Sequence, residues 1–281
     1  MRDCKKEVKV MNLNSFSLDL HIHTNNSFDS ITRPESIIRR AEKLNLDIIA
    51  ITDHNSIDNA LRVKEIASKL NSKVRVIIGE EISTDKGEII GLFLENCISP
   101  GKFQTVIEAI KSQGGIVYLP HPFKRSELIK TEIIKEIDII EVWNARSNYE
   151  QNYKGLIFAI RHGKLMACGS DSHLISELGR CRMHLETTMN IKSDFTPQNF
   201  LDLIKEASKI KIIGTNKNYA IMEFKSQFIK IIKKRTLSPL KYLIKYLPVE
   251  LIYNWNSQDS ITILLEKNKD EPNFRVEVAY E

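Results

Sequence analysis

Residues 16–55 read FSLDLHIHTNNSFDSITRPESIIRRAEKLNLDIIAITDHN, and this stretch decides the fold class. Its apolar runs at 16–21 and 47–51 predict buried strands, and the mixed stretch between them predicts a helix over 34–43. Pro34 stands at the first turn of that helix, a position where proline is favoured. Two strands joined by a helix pair in parallel through a right-handed crossover. The stretch therefore predicts an α/β fold.

The same alternation of strands and helices continues to residue 214. Further strands are predicted at 74–79, 88–94, 115–119, 137–142 and 165–169, with a short one at 211–213. Further helices are predicted at 56–70, 102–112, 126–135, 148–161 and 196–207. Alternating strands and helices imply parallel pairing. Seven or so units in this length favour a closed barrel, with a doubly wound open sheet as the alternative.

The alternation of predicted strands and helices ends at residue 214, so we expect a barrel domain over 1–214 and a small extension over 215–281. Residues 221–247 are basic and apolar together, with aromatic and aliphatic side chains at helical spacing, which predicts a basic helix. Residues 261–266 and 274–280 alternate apolar and polar around a polar turn, which predicts a β-hairpin.

Composition excludes several classes of protein. The chain has 281 residues, of which 42% are hydrophobic and 27% charged, so a collagenous or disordered chain is excluded. It contains no apolar run long enough for a membrane span and no secretory signal, so we expect the cytoplasm. The four cysteines lack metal-knuckle or redox spacing and are interpreted as reduced thiols: Cys4, Cys97, Cys168 and Cys181.

Five of the seven histidines lie at the carboxyl end of a predicted strand or just after it: His21, His23, His54, His121 and His173. Carboxylates reach the same edge: Asp29, Asp53, Glu80, Glu81, Glu141 and Asp171. Ligands bind at this edge in barrels and open α/β sheets alike. Imidazole and carboxylate without thiolate suit Zn, Mn or Fe, and so many ligands exceed the need of one ion. The pattern predicts a cluster of two or three divalent cations.

The alternation of side chains along a strand assigns some of these residues to one face of the sheet or the other. His21 and His23 share a face, whereas Glu80 and Glu81 point to opposite faces, so only one of the two glutamates faces the site. Asp19, two residues before His21, either orients an imidazole or is a solvated strand residue. The same two interpretations apply to Asp53. The two remaining histidines, His162 and His184, have no acidic companions and are expected to lie outside the site.

The ordered series DLHIHT with Asp29, ITDHN, GEEIST, HPF, EVWNAR and GSDSH resembles the motifs of the PHP (polymerase and histidinol phosphatase) superfamily. The series runs from residue 19 to residue 173, and with its flanking elements it covers roughly 1–214. The resemblance implies a distorted (β/α)₇ barrel with a trinuclear metal site that hydrolyses phosphate esters. Within that superfamily, the sequence is most similar to the stand-alone phosphoesterases.

Position by position, the resemblance implies three sets of ligands. His21, His23 and Asp171 hold one ion together with a bridging glutamate, which the G-x-E pattern from Gly79 places at Glu81. His121 belongs to the second ion, and Asp29, His54 and His173 belong to the third.

The sequence departs from many relatives after the sixth strand, where they carry His or Cys. Here that segment, EVWNAR, offers Asn144 and Glu141 instead, and the sequence does not say which of the two completes the second set.

Phosphate hydrolysis also needs positive side chains near the metals. Four flank the motifs, namely Lys124, Arg125, Arg146 and Arg180. Arg180 is our first choice as the phosphate-binding residue. With His21, His23, Glu81 and Asp171, it makes up the predicted catalytic set. A small phosphomonoester, a nucleotide and an oligonucleotide all remain open as substrates.

Two other functions compete with the phosphoesterase. An amidohydrolase-type metal enzyme shares the HxH pair and the late aspartate. A nucleic-acid-associated module, acting as a nuclease or regulator, would use the basic segment 217–245, which has eight positive residues and one negative. That segment could instead meet an anionic membrane surface, or form a helix docked on the barrel with its lysines in water.

Overall fold

A computed structural model describes residues 13–124, 131–190, 195–215, 219–234, 261–267 and 274–280. They form a mixed α/β fold with one large sheet. The strands are β1 (Asn14–Ile22), β2 (Ile48–Ile51), β3 (Arg75–Thr84), β4 (Gly87–Leu92), β5 (Ile116–Leu119), β6 (Ile139–Asn144), β7 (Leu165–Gly169), β8 (Cys181–Thr187), β9 (Lys209–Gly214), β10 (Ile261–Lys267) and β11 (Phe274–Tyr280). The helices are α1 (Pro34–Lys43), α2 (Asp58–Lys69), α3 (Phe103–Ser112), α4 (Thr131–Ile134), α5 (Tyr149–Arg161), α6 (Pro197–Lys205) and α7 (Tyr219–Lys234).

The sheet has eleven strands in the order β11-β10-β9-β8-β1-β2-β3-β4-β5-β6-β7. Strands β1, β2 and β3 pair in parallel, and so do β5, β6 and β7. An isolated parallel bridge joins Ile22, at the end of β1, to Ser172, just after β7. A Cβ atom at Gly169 would lie 2.2 Å from that of His21, so glycine is needed where β7 approaches β1. The carboxyl ends of these strands therefore meet.

The expectation of parallel pairing is wrong for β4, which pairs antiparallel with β5 and with β3, in the latter case from Gly79 opposite Leu92 to Thr84 opposite Gly87. Strand β3 runs five residues beyond its predicted end and turns back after Thr84. A two-residue connection can join only antiparallel strands, because a parallel pair needs a long crossover. As a result, Glu80 and Glu81 lie inside a strand rather than at its end.

Strand β8 is absent from the sequence prediction. Its sequence, CRMHLET, alternates buried residues with partly exposed Arg, His and Glu, which dilutes the apolar signal. It pairs antiparallel with β1 and β9.

The predicted hairpin is confirmed as β10 and β11, and β10 pairs antiparallel with β9. The hairpin thus continues the same sheet beyond residue 214. The predicted division at that residue remains a prediction.

The helices cover the sheet with their apolar faces. Helix α1 buries Ile37, Ile38 and Ala41 against Ile49 and Ile51 of β2. This packing hides aliphatic side chains that each stabilise the fold by roughly 1.5–3 kcal/mol when fully buried. Among the described residues, no helix is both long and apolar enough to cross a membrane.

Candidate metal centre

The five predicted strand-end histidines converge on one buried cluster. The ring of His23 lies 4.4 Å from that of His173, 4.6 Å from that of His54 and 5.1 Å from that of His21, measured between centroids. His121 completes the group, 5.7 Å from His21. Four of the five are buried as whole residues, and the side chain of His54 is 7% exposed.

Glu81 lies at the centre of the cluster. One carboxylate oxygen, Oε2, is 3.5 Å from His21 Nε2, 3.3 Å from His23 Nε2 and 3.2 Å from His54 Nδ1. The other, Oε1, is 3.0 Å from His121 Nε2. A single carboxylate thus contacts four imidazoles, two or more of which could share a cation with it.

Glu80 points to the opposite face of β3. Its Oε2 accepts a hydrogen bond from the backbone N–H of Ile98 at 2.9 Å, and its Oε1 lies 3.1 Å from Cys97 Sγ. The alternation of side chains along the strand thus separates the two glutamates, as the sequence predicts.

Two aspartates join the imidazoles. Asp29 Oδ1 is 3.1 Å from His173 Nε2, and its Oδ2 is 3.4 Å from His54 Nε2. Asp171 Oδ1 is 3.4 Å from His23 Nε2. Asp171 has a φ of 48° and His121 a φ of 28°, in the left-handed region that non-glycine residues seldom adopt. Strained backbone of this kind concentrates at functional sites.

Asp53 orients an imidazole through an intermediate hydroxyl. Its carboxylate accepts hydrogen bonds from the Thr24 N–H at 2.7 Å and from the Ser27 Oγ at 2.6 Å. Ser27 Oγ is in turn 3.0 Å from His23 Nδ1. This arrangement confirms the orienting role as one of the two sequence interpretations. It leaves His23 Nε2 directed at Glu81 and Asp171.

Asp19 neither orients an imidazole nor is exposed to solvent. It is fully buried, and its oxygens accept hydrogen bonds from the backbone N–H groups of Ser170 and Gly179, both at 2.9 Å. Burial raises its pKa from 3.8 to about 6 despite those hydrogen bonds. Both sequence interpretations are wrong, because Asp19 fixes the backbone of the segment that carries Asp171 rather than an imidazole.

Glu141 and Asn144 both lie in the site, held by protein partners. Glu141 Oε1 is 3.1 Å from His21 Nδ1, and its Oε2 accepts from the His121 N–H at 2.7 Å and from Asn144 Nδ2 at 2.9 Å. Asn144 Oδ1 accepts from the Arg146 N–H at 2.8 Å. Glu141 therefore orients His21, as buried carboxylates beside metal-binding histidines do.

Opposite charges dominate the electrostatics of the cluster. Burial alone would raise the pKa of Glu81, but His21 and His54 hold it well below its usual value. Burial would lower the pKa of His23, but Asp171 and Glu81 raise it to about 10. Burial, with Arg146 and His23, lowers the pKa of His173 to about 4 even though Asp29 opposes the shift. The site thus combines ionised carboxylates with protons that a bound cation would displace.

The donor set fits divalent cations. His21 Nε2 and His23 Nε2 face each other at 3.1 Å, an arrangement that needs a proton or a cation to hold it. His54 Nδ1 and Asp29 Oδ1 are buried and make no hydrogen bond, although Glu81 Oε2 and His173 Nε2 lie 3.2 and 3.1 Å from them. Nitrogen and carboxylate oxygen donors are those that Zn, Mn and Fe accept.

A small cavity of about 20 Å³, room for about one water molecule, lies over the cluster, and its lining includes the cations Lys124, Arg146 and Lys230. Lys124 Nζ is 2.9 Å from Glu223 Oε1, and Lys230 Nζ is 3.1 Å from Asp29 Oδ2. Arg180 is not among the described residues that line the cavity, so the structure does not bring the predicted phosphate-binding residue to the cluster. Arg125 lies outside the described residues.

Arg146 is committed to holding α7 in place. Its guanidinium donates to Glu223 at 3.2 Å, to Glu177 at 3.4 Å, and to Met222 O and Ser226 Oγ at 3.1 and 2.7 Å. Its side chain is 2% exposed. This network explains why a helix of the basic segment lies on the metal centre.

Helix α7 also holds the loop that carries Asp29. Lys233 Nζ donates to three backbone carbonyls of that loop, those of Asn25, Ser27 and Ser30, at 2.7, 2.7 and 3.1 Å. The interpretation of a docked helix is correct for 219–234, but Lys230 and Lys233 bind the protein rather than project into water.

Sequence reasoning missed four cavity residues, Glu88, Glu223, Ser226 and Lys230. Their neighbours in the site are distant in sequence, and only the alternation of β4 could have marked Glu88. The two remaining histidines lie elsewhere, as predicted. His162 follows α5 and contacts Phe158 edge-on, and His184 is on β8.

Residues 19–270 match the family profile of the PHP domain, a span that contains every predicted metal ligand. The chain belongs to the PHP family. Uncharacterized protein MJ0417 of Methanocaldococcus jannaschii is 34% identical over 200 residues, which is 67% of this chain and 78% of that protein.

The solved structures that resemble this chain in fold include the following two. PsfC from Pseudomonas syringae PB-5123 superposes with a TM-score of 0.58 at 16% identity, covering 78% of this chain and 99% of that one. A two-domain Bacteroides vulgatus protein with a predicted PHP-like metal-dependent phosphoesterase gives a TM-score of 0.52 at 16% identity, covering 73% of this chain and 76% of that one.

Proposed function

We propose that this PHP-family chain is a hydrolase that cleaves phosphate esters with two or three divalent cations, Mn, Zn or Fe. The observation that carries the proposal is the convergence of the eight predicted imidazole and carboxylate ligands on one buried cluster beneath a cavity whose lining includes two lysines. So many donors around one cavity exceed what a single structural ion needs.

The side chains divide into three ligand groups. His21, His23 and Asp171 would hold one ion and His121 a second, with Glu81 shared between them. A third group comprises Asp29, His54 and His173. Bound divalent cations would lower the pKa of a coordinated water toward neutrality and neutralise phosphoryl oxygens.

Lys124 and Lys230 are the better candidates for holding the substrate phosphate. Their side chains are 10% and 14% exposed, and both Nζ atoms lie beside the ligand cluster. Arg146 has its donors engaged by α7 and Glu177, so it supports the site rather than the substrate. Arg180 remains a sequence prediction that the cavity does not favour.

The finer fold assignment also belongs to this proposal. The bridge between Ile22 and Ser172 and the close approach of Gly169 to His21 support a distorted (β/α)₇ barrel. Helix α7 and the hairpin of β10 and β11 would then form the small C-terminal extension.

A panel of phosphate esters tests the activity. The purified protein, loaded separately with Mn²⁺, Zn²⁺ and Fe²⁺, is assayed for phosphate release from small phosphomonoesters, mononucleotides and short oligonucleotides. We expect hydrolysis of at least one class, abolished by a chelator and restored by metal. A fully loaded protein that cleaves none of them would contradict the proposal.

The alternative of a nucleic-acid module gains no support from α7, because Lys230 faces the buried cluster and Lys233 is committed to three backbone carbonyls of the Asp29 loop. The salt dependence of RNA or DNA binding would test it, since each phosphate contact adds nearly one unit to the logarithmic slope. Residues 217–218 and 235–245 of the basic segment lie outside the described residues.

A further inference from the structure

The ligand group of the second ion, which rests on the proposed function, is short of one protein donor. His121 and Glu81 are in place, but β6, which carries Glu141 and Asn144, supplies no uncommitted side chain. Both oxygens of Glu141 are engaged, with His21 and Tyr118 on one side and with the His121 N–H and Asn144 on the other. The carbonyl oxygen of Asn144 accepts from Arg146.

Glu88 lies on the opposite side of this gap. Ser83 is paired with Glu88 and Glu81 with Ile90, so Glu88 is a diagonal neighbour of Glu81 on the same face of the hairpin of β3 and β4. Its side chain is 19% exposed and lines the cavity. Nothing among the described residues donates a hydrogen bond to its carboxylate.

The carboxylate of Glu88 faces two imidazoles at a distance that leaves room for a cation. Its Oε2 is 3.8 Å from His121 Nε2, and its Oε1 is 3.9 Å from His54 Nδ1. Ligand atoms of His54, Glu81 and Glu88 all lie within 4.8 Å of one another. His54 Nδ1 is buried 3.2 Å from Glu81 Oε2 and makes no hydrogen bond, so its lone pair is free for a cation beside the two glutamates.

We propose that Glu88 is a metal ligand and completes, with Glu81 and His121, the group that binds the second divalent cation. A carboxylate from β4 thus takes the place that Asn144 and Glu141 leave unfilled. A site of two carboxylates and one or two imidazoles suits Mn²⁺, Fe²⁺ or Zn²⁺.

Metal titration of Glu88→Gln tests the proposal without any substrate. The wild type, Glu88→Gln, Glu88→His and the control Glu80→Gln are loaded with Mn²⁺ and with Zn²⁺, and bound metal is measured by elemental analysis and calorimetry. Gln keeps the shape of the side chain and removes its charge, whereas His supplies another donor that these ions accept. We expect Glu88→Gln to hold one ion fewer or to bind its weakest ion at least about tenfold more weakly.

The two companion variants sharpen the result. Glu88→His should recover the lost ion, and Glu80→Gln, on the opposite face, should keep the wild-type count. Circular dichroism confirms that each variant is folded. If Glu88→Gln keeps both the wild-type metal count and the affinities, the proposal is overturned, even when activity falls, because Glu88 would then act on the substrate. A wild type that binds the ions but cleaves no phosphate ester would refute the proposed function and leave this metal count readable.

Discussion

Replacing Glu81 by Gln should strip metal from the site, whereas replacing Glu80 by Gln should not. The Glu81 carboxylate lies 3.0–3.5 Å from four imidazole nitrogens that would share its ions. Two unit charges about 4 Å apart interact by about 4 kcal/mol at an effective dielectric constant of 20, which is a lower bound for a divalent ion. Since 1.36 kcal/mol corresponds to a factor of ten, Glu81→Gln should weaken binding of a neighbouring ion by about 10³-fold.

Glu80→Gln changes a different set of contacts. The side chain bonds the Ile98 N–H and Cys97, so the substitution weakens hydrogen bonds that are worth roughly 1–3 kcal/mol each and leaves the ions in place. Both variants are loaded with Mn²⁺ or Zn²⁺, dialysed and analysed for bound metal, with the unfolding temperature as a check on folding. Metal content distinguishes the two glutamates, because substitution of either one could lower the rate of hydrolysis. Should Glu80→Gln empty the site while Glu81→Gln leaves it full, the assignment of strand faces is wrong.

Three further predictions concern activity and pH. His23→Ala and Asp171→Ala should each abolish phosphoester hydrolysis with circular dichroism unchanged, whereas His162→Ala should be nearly silent; equal losses in all three would refute the assignment of site histidines. Lys230→Met should raise KM for a phosphate ester by about tenfold, the effect of losing roughly 1.4 kcal/mol of a charge-assisted contact. Lys225→Met, at an exposed position of the same helix, should not change KM, and matching KM values in the two variants would exclude phosphate binding by Lys230. In chelator, the unfolding temperature should fall as pH rises from about 6.5 to 10, because His23 has a pKa raised to about 10 and its stabilising proton is lost across that window. A flat or rising profile there would contradict the ion pairs assigned to His23.

The clustering of the five histidines could be predicted because it depends on local sequence signals. Each lies at the end of a strand, and strand ends of an α/β sheet share an edge, so position along the chain fixes position in space. The prediction that Glu81, and not Glu80, faces the cluster needed strand alternation together with the G-x-E resemblance. Strand β8 escaped prediction because its partly exposed face carries polar side chains at every second position.

The covering of the site by α7 could not be predicted. Helical spacing marks a helix but not the surface on which it docks, and Lys230 meets Asp29 from 201 residues away in the chain. Arg146 was expected to bind phosphate because it flanks a motif. Its partner Glu223 lies on α7, and that contact decides its role.

The number of divalent cations bound per chain tests the central claim most directly. The protein is prepared under mild conditions, loaded in turn with Mn²⁺, Zn²⁺ and Fe²⁺, and measured by elemental analysis against protein concentration. A cluster of eight converging ligands, extended by Glu88, predicts two to three ions per chain. A chain that never holds more than one ion at any loading would contradict the multinuclear centre.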